Sequence, residues 1–137
     1  IQLHGEEDAD YIRRLREVCD VPVIKAVKVQ TVEQIRQAAA LPVDYLLLDT
    51  YREGVLGGTG EAFDWELLRE AKAAAGDTAE GELFGKPYFL AGGLHAGNLR
   101  EAAALGSYGL DVSSGIETDG SKDFTKMVKV MELVRKL

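Results

Sequence analysis

Val43-Asp44-Tyr45-Leu46-Leu47-Leu48-Asp49-Thr50 is a short apolar run that stops on a carboxylate and a hydroxyl. It is too brief for a stable helix and too continuous in apolar residues for a strand with one wet face. That pattern predicts a strand over 43–48, buried on both sides. Four more runs of the same kind follow the chain outward, at 1–3, 21–29, 87–91 and 108–112. The segments between them have helical spacing. In 8–19, Tyr11, Ile12, Leu15, Val18 and Cys19 fall on one face. In 31–40, Val32, Ile35, Ala38 and Ala39 do the same, behind Thr31 as a cap. Segment 64–75 opens on Asp64 as its cap. Segment 96–105 turns Leu99, Ala102, Ala103 and Leu105 inward, and 121–137 does so with Met127, Val130, Met131 and Val134.

Strand and helix alternate with no hairpin signal, which predicts an α/β fold with a parallel sheet and crossover helices. The strands are evenly spaced except between the third and fourth, where the gap roughly doubles. That gap holds a glycine-rich loop, 54–60, directly after the Asp49 strand, and a polar stretch, 76–86. The loop reads as a mobile lid over a site. The polar stretch, between a helix and the next strand, reads as a solvated insertion.

With 137 residues, 46% apolar and 28% charged, the chain has the composition of one globular domain, spanning 1–137. Sixteen basic against 23 acidic residues leave a net charge of −7, the wrong balance for gripping a nucleic-acid backbone. No apolar run reaches the roughly 20 residues that span a bilayer, so no membrane partner is expected. The single cysteine, Cys19, excludes an internal disulfide framework and fits a reducing, cytoplasmic compartment. It sits on a helix face and reads as a packing residue. The chain begins with Ile1 in what reads as the end of a strand, as expected of a piece cut from a longer protein.

Ligands of parallel α/β proteins bind at the carboxyl ends of the strands. The first run ends in His4-Gly5, the third in Asp49-Thr50, the fourth in Gly92-Gly93, and the fifth holds Asp111 and ends in Ser113-Ser114-Gly115. A carboxylate at the mouth of a buried strand is partly desolvated, which favours the protonated form and suits Asp49 to general acid catalysis. The alternative use is to cap a neighbouring amide. Glycine lets backbone approach a phosphate closely, so Gly92 and Gly93, with Ser113 and Ser114, form a candidate phosphate site; the alternative is two ordinary tight turns. His4 either donates to a ligand or satisfies a strand end. Asp111 either points into a barrel or orients a loop amide. Lys25 is expected to point inward. No cluster has metal-ligand spacing.

Gln2-Leu3-His4-Gly5, Leu47-Leu48-Asp49-Thr50, Gly57-Gly58-Thr59-Gly60 with Phe63-Asp64-Trp65, Ala91-Gly92-Gly93-Leu94 with Asn98, and Asp111-Val112-Ser113-Ser114-Gly115-Ile116-Glu117 together resemble phosphoribosylanthranilate isomerase. The resemblance runs the length of the chain, in order. It implies an eight-stranded (β/α)8 TIM barrel of tryptophan biosynthesis, of which this chain holds the fourth to eighth strands, with the first three missing. It implies an Amadori rearrangement of N-(5-phosphoribosyl)anthranilate, without cofactor or metal. Asp49 would be the general acid, Gly92, Gly93, Ser113 and Ser114 would hold the phosphate, and His4 and Asp111 would line the sugar pocket. The family's general base is a cysteine in a Lys-Ile-Cys-Gly-Ile-Thr type segment. This chain has no such segment, and Cys19 does not match it. The family's arginine for the anthranilate carboxylate also precedes the region present.

Three expectations follow. One is an isomerase fragment, inactive alone, that pairs through its exposed strand edges with its missing N-terminal segment or with another chain. Another is a non-catalytic phosphosugar-binding or chain-pairing module. A related barrel enzyme acting on another phosphorylated indole precursor is a third.

Overall fold

The computed structural model describes residues 1–49, 65–76 and 79–137. Thr50, the loop 54–60 expected as a lid, and the expected Asp64 cap lie outside the described residues. In chain order the elements are β1 (Gln2–Leu3), α1 (Ala9–Val18), β2 (Ile24–Lys28), α2 (Val32–Ala39), β3 (Tyr45–Asp49) and α3 (Trp65–Ala75). Then come β4 (Glu82–Leu83), β5 (Lys86–Ala91), α4 (Leu99–Ala104), β6 (Gly109–Leu110), a single 3-10 turn (Ser114–Ile116), β7 (Glu117–Thr118), β8 (Ser121–Lys122) and α5 (Phe124–Val134). Strands β1, β2, β3, β5 and β6 are neighbours in that order, and every pair among them is parallel. The expected parallel α/β arrangement is therefore present.

The sheet register decides which residues reach the site. Lys28 stands opposite Asp49, and Asp49 opposite Ala91. Side chains alternate between faces along a strand. Leu46, Leu48, Tyr88 and Leu90 take one face and are fully buried in the core with Ile12, Ile35, Leu68 and Leu99 from the helices. Ala26, Lys28, Leu47, Asp49 and Ala91 take the other face and line a cavity. Removing three carbons from the helix-facing core is costly because neighbours cannot fully close the hole. Leu48→Ala is expected to cost about 2–5 kcal/mol, read as a lower midpoint in chemical denaturation.

Local chemistry explains the helix starts. Asp8 accepts from the Tyr11 amide at 2.7 Å ahead of α1. Thr31 is the cap of α2, as expected, and Gln34 returns the bond, forming a reciprocal capping box. Asp123 accepts from the Lys126 amide at 3.1 Å ahead of α5.

Several expectations need correction. The stretch 76–86 is not wholly a solvated insertion. Its described part forms a hairpin, β4 antiparallel to the start of β5, and Leu83 is fully buried. Phe84 and Gly85 both have positive φ, 50° and 73°, the geometry of a tight two-residue hairpin turn. Phenylalanine is not a residue that announces such a turn, so the sequence hides it. A second small hairpin joins β7 to β8 through Asp119-Gly120, with φ of 52° and 77°, so the sequence does hold one hairpin signal. On α5 only Val130 is buried, while Met127, Met131 and Val134 are exposed, because this helix packs chiefly on α4 and the 3-10 turn. On α1, Ile12 and Leu15 pack inward, but Tyr11 and Val18 are exposed. Cys19 is half-buried at the end of α1 rather than a core residue.

Candidate functional site

The turn after β5 is shaped by two glycines. Gly92 and Gly93 have φ of 86° and 63°, a left-handed region that costs other residues a clash at Cβ. Buried Asn98 holds this turn in place. Its Oδ1 accepts from the His95 amide at 2.8 Å, and its Nδ2 donates to the Gly93 carbonyl at 3.1 Å. Asn98 therefore does not cap α4; its side chain reaches back to the glycine turn instead.

The turn after β6 leans directly on this one. A Cβ on Gly115 would lie 1.9 Å from the Leu94 carbonyl oxygen and 2.8 Å from the His95 Cα. Only glycine permits that approach. Lys122 braces the same turn from outside: its ammonium donates to the Ser113 carbonyl at 3.1 Å and to Ser113 Oγ at 3.3 Å, and pairs with Glu117 at 2.6 Å. Ser113 and Ser114, exposed beyond the end of β6, thus follow the strand next to the one that the two glycines follow.

Asp49, half-buried, closes β3 on the same rim, and exposed His4 follows β1. Asp111 lies one residue beyond β6 rather than inside it; its amide donates to the Leu90 carbonyl at 2.8 Å and its side chain is exposed. One cavity of about 1080 Å³ is lined by His4, Asp49 and Asp111. Gly92, Gly93, Ser113 and Ser114 line it too, so all seven residues singled out from the sequence meet there. The cavity also runs along one face of α2 as far as Leu41, beyond the strand ends themselves.

Lys25 does not point into the site as a free amine. It is 7% exposed, and its ammonium donates to the Gly5 carbonyl and to Glu7 Oε2, both at 2.6 Å. Glu7 in turn accepts from the Gly5 amide at 3.0 Å. This ion pair fastens the loop that carries His4. It also makes folding sensitive to acid. The hydrogen bond from Lys25 outweighs partial burial and holds the Glu7 carboxyl below its ordinary value of 4.5. A depressed folded value means the pair stabilises fully above 4.5 and loses that contribution as pH falls through the folded value. Glu7→Gln is therefore expected to melt below the wild type at neutral pH, with the difference narrowing as pH drops past 4.5. Melting curves across that window check it.

Among the described residues no group of three metal-ligating side chains occurs, and no helix is long and apolar enough to cross a membrane.

A parallel sheet with crossover helices, and a cavity at the carboxyl ends of its strands, place the chain among the parallel α/β proteins, β/α barrels included. The comparisons with known proteins narrow this. The family model for N-(5'-phosphoribosyl)anthranilate (PRA) isomerase matches residues 1–133. A PRA isomerase of Lachnoclostridium phytofermentans is 48% identical over 128 residues, covering 93% of this chain and 59% of that protein. One from Endomicrobium trichonymphae is 43% identical, covering 100% of this chain and 61% of its own length. The crystal structure of phosphoribosyl anthranilate isomerase from Thermus thermophilus superposes with a TM-score of 0.70 at 31% identity, over 98% of this chain and 60% of that one. A similar isomerase, TM-score 0.66 at 28% identity over 99% of this chain and 59% of that one, was solved with reduced 1-(o-carboxyphenylamino)-1-deoxyribulose 5-phosphate. The chain belongs to the N-(5'-phosphoribosyl)anthranilate isomerase family. It spans about 60% of the length of the relatives it matches.

Proposed function

We propose that this chain is the carboxyl-terminal part of an N-(5'-phosphoribosyl)anthranilate isomerase, forming strands four to eight of its barrel and working in tryptophan biosynthesis in the cytoplasm. Asp49 donates a proton to the ribose ring oxygen, and the ring opens to the imine. A base outside this chain then removes the proton from the adjacent carbon, and the enolamine that forms settles as the aminoketose. The amides of Gly92 and Gly93 and the hydroxyls of Ser113 and Ser114 hold the phosphate. His4 and Asp111 contact the sugar. The reading assigns no cofactor and no metal, and neither nucleic acid nor membrane as partner.

The observation that carries this reading is the meeting of a half-buried carboxylate and two glycine turns in one cavity at one sheet edge. The chain alone is expected to show no appreciable turnover, since the segment bearing the family's cysteine base is not in it. The test is a turnover assay of the purified chain and of the full gene product, paired with complementation of a tryptophan auxotroph. A full gene product without isomerase activity would sink the enzyme reading; an active isolated chain would sink the fragment reading.

A specific observation supports the rival, a phosphosugar-binding module that pairs with another chain. Among the described residues β1 and β6 each pair on one side only. Tyr45, Phe89 and Tyr108 stack with ring centroids 5.4–5.7 Å apart, and Tyr108 is 59% exposed. Such a surface is covered either by the segment preceding Ile1 or by a second chain. Sedimentation of the purified chain at several concentrations separates these: a stable dimer favours the rival.

A further inference from the structure

Of the two hydroxyls at the proposed phosphate site, that of Ser113 has a cation within hydrogen-bond distance. Lys122 donates to Ser113 Oγ at 3.3 Å, to the Ser113 carbonyl at 3.1 Å and to Glu117 Oε1 at 2.6 Å. An ammonium has three N–H donors and no acceptor. All three are therefore spent inside the protein, two of them on Ser113. Ser113 lines the cavity and Lys122 does not. Lys122 is thus placed to act on a ligand through the serine, not to touch it.

The direction of the bond matters. Lys122 can only donate, so Ser113 Oγ accepts, and the hydroxyl keeps its own hydrogen for another acceptor. No described residue takes that hydrogen. Ser113 is exposed at the cavity wall, so an acceptor inside the cavity is within its reach. A hydroxyl that accepts from a cation is polarised and becomes the stronger donor. Such a donor suits a phosphate oxygen.

The fold builds this contact. Glu117 and Lys122 face each other across the β7–β8 hairpin, whose turn holds Asp119 and Gly120 at positive φ. Asp123, the next residue, donates its amide to the Ile116 carbonyl at 2.8 Å and accepts from Thr118 Oγ1 at 2.7 Å. The Lys126 ammonium adds a bond to the Glu117 carbonyl. The hairpin is tied on both sides of Lys122, which directs its ammonium at the Ser113 turn.

We infer that Lys122 is a positioning residue of the phosphate site: it holds the Ser113 hydroxyl as an acceptor, so that the hydroxyl's hydrogen is given to a phosphate oxygen. This rests on the phosphosugar reading above.

The test uses the full gene product, with ribulose 5-phosphate as the probe and calorimetry as the readout. Lys122→Met is expected to weaken binding about tenfold, Ser113→Ala by a similar factor, and Lys122→Arg to restore most of the loss. The double variant separates positioning from general support. If Lys122 acts through the hydroxyl, adding Lys122→Met to Ser113→Ala costs no more than about twofold further. Losses that multiply overturn the inference, because they mean that Lys122 acts by bracing the hairpin or by its charge alone. Unchanged affinity in Lys122→Met overturns it as well, while leaving the phosphate site intact. Should Lys122→Met not fold, Glu117→Gln decides. It leaves the ammonium to Ser113 and removes a nearby negative charge, so it is expected to bind the probe about twofold or more tightly; equal or weaker binding overturns the inference. If the wild-type protein does not bind ribulose 5-phosphate, the phosphosugar reading falls and takes the inference with it.

Discussion

Asp49→Asn lowers kcat of the full gene product by about a hundredfold to ten-thousandfold, with KM little changed, the range expected for loss of a general acid. Asparagine keeps the shape and the hydrogen-bonding reach of aspartate but has no carboxyl proton to give. Asp49 is the last residue of β3, half-buried and flanked across the sheet by Lys28 and Ala91. It is outside the helix-facing core, and a melting curve serves as the control for folding. Steady-state kinetics decide the matter. Turnover like that of the wild type removes Asp49 from the chemistry, whatever else lines the cavity. A rise in KM alone reassigns it to binding.

Gly115→Ala is expected to separate the two turns proposed to grip the phosphate. The new methyl group would sit 1.9 Å from a carbonyl oxygen and 2.8 Å from the carbonyl carbon of Leu94, and neither is the yielding end of a side chain. One of the two backbone segments must move. The expected result is at least a tenfold loss of affinity for ribulose 5-phosphate and a loss of about 1–3 kcal/mol in stability, the usual penalty for overpacking. Gly93→Ala is the informative contrast. Its Cβ would meet nothing within 4 Å, but its φ of 63° is strained for alanine, so about 1–2 kcal/mol of stability is lost without a collision. If Gly115→Ala binds as tightly as the wild type, the two turns do not act as one phosphate site.

The strand ends were legible because each carries a chemical signature that survives without coordinates. Leu46-Leu47-Leu48 must be buried, so Asp49 must stand at a mouth. Gly92-Gly93 and Ser113-Ser114-Gly115 must make tight backbone at the ends of later strands. Other contacts were not legible for a common reason: a side chain's use depends on what the fold brings beside it. Lys25 lies on a strand near the site, yet Glu7, 18 residues earlier, pairs with its charge. Asn98 stands where a helix cap belongs, but the β5 turn lies within its reach and claims both ends of its amide. Lys122, nine residues beyond Ser113, reaches it only because β7 and β8 fold back as a hairpin.

The order of apolar runs and helical segments by itself determined a parallel sheet with its chemistry at one edge, because hydrophobic period and strand direction are local properties of the chain. The register of that sheet belongs to tertiary structure alone. It puts Lys28, Asp49 and Ala91 in one line on one face, and Lys25 on the other, since a shift of a single residue would exchange the two faces. The close approach of Gly115 to the Leu94 carbonyl is of the same kind: two turns, with these residues 21 apart in the chain, meet only once the strands beneath them are side by side.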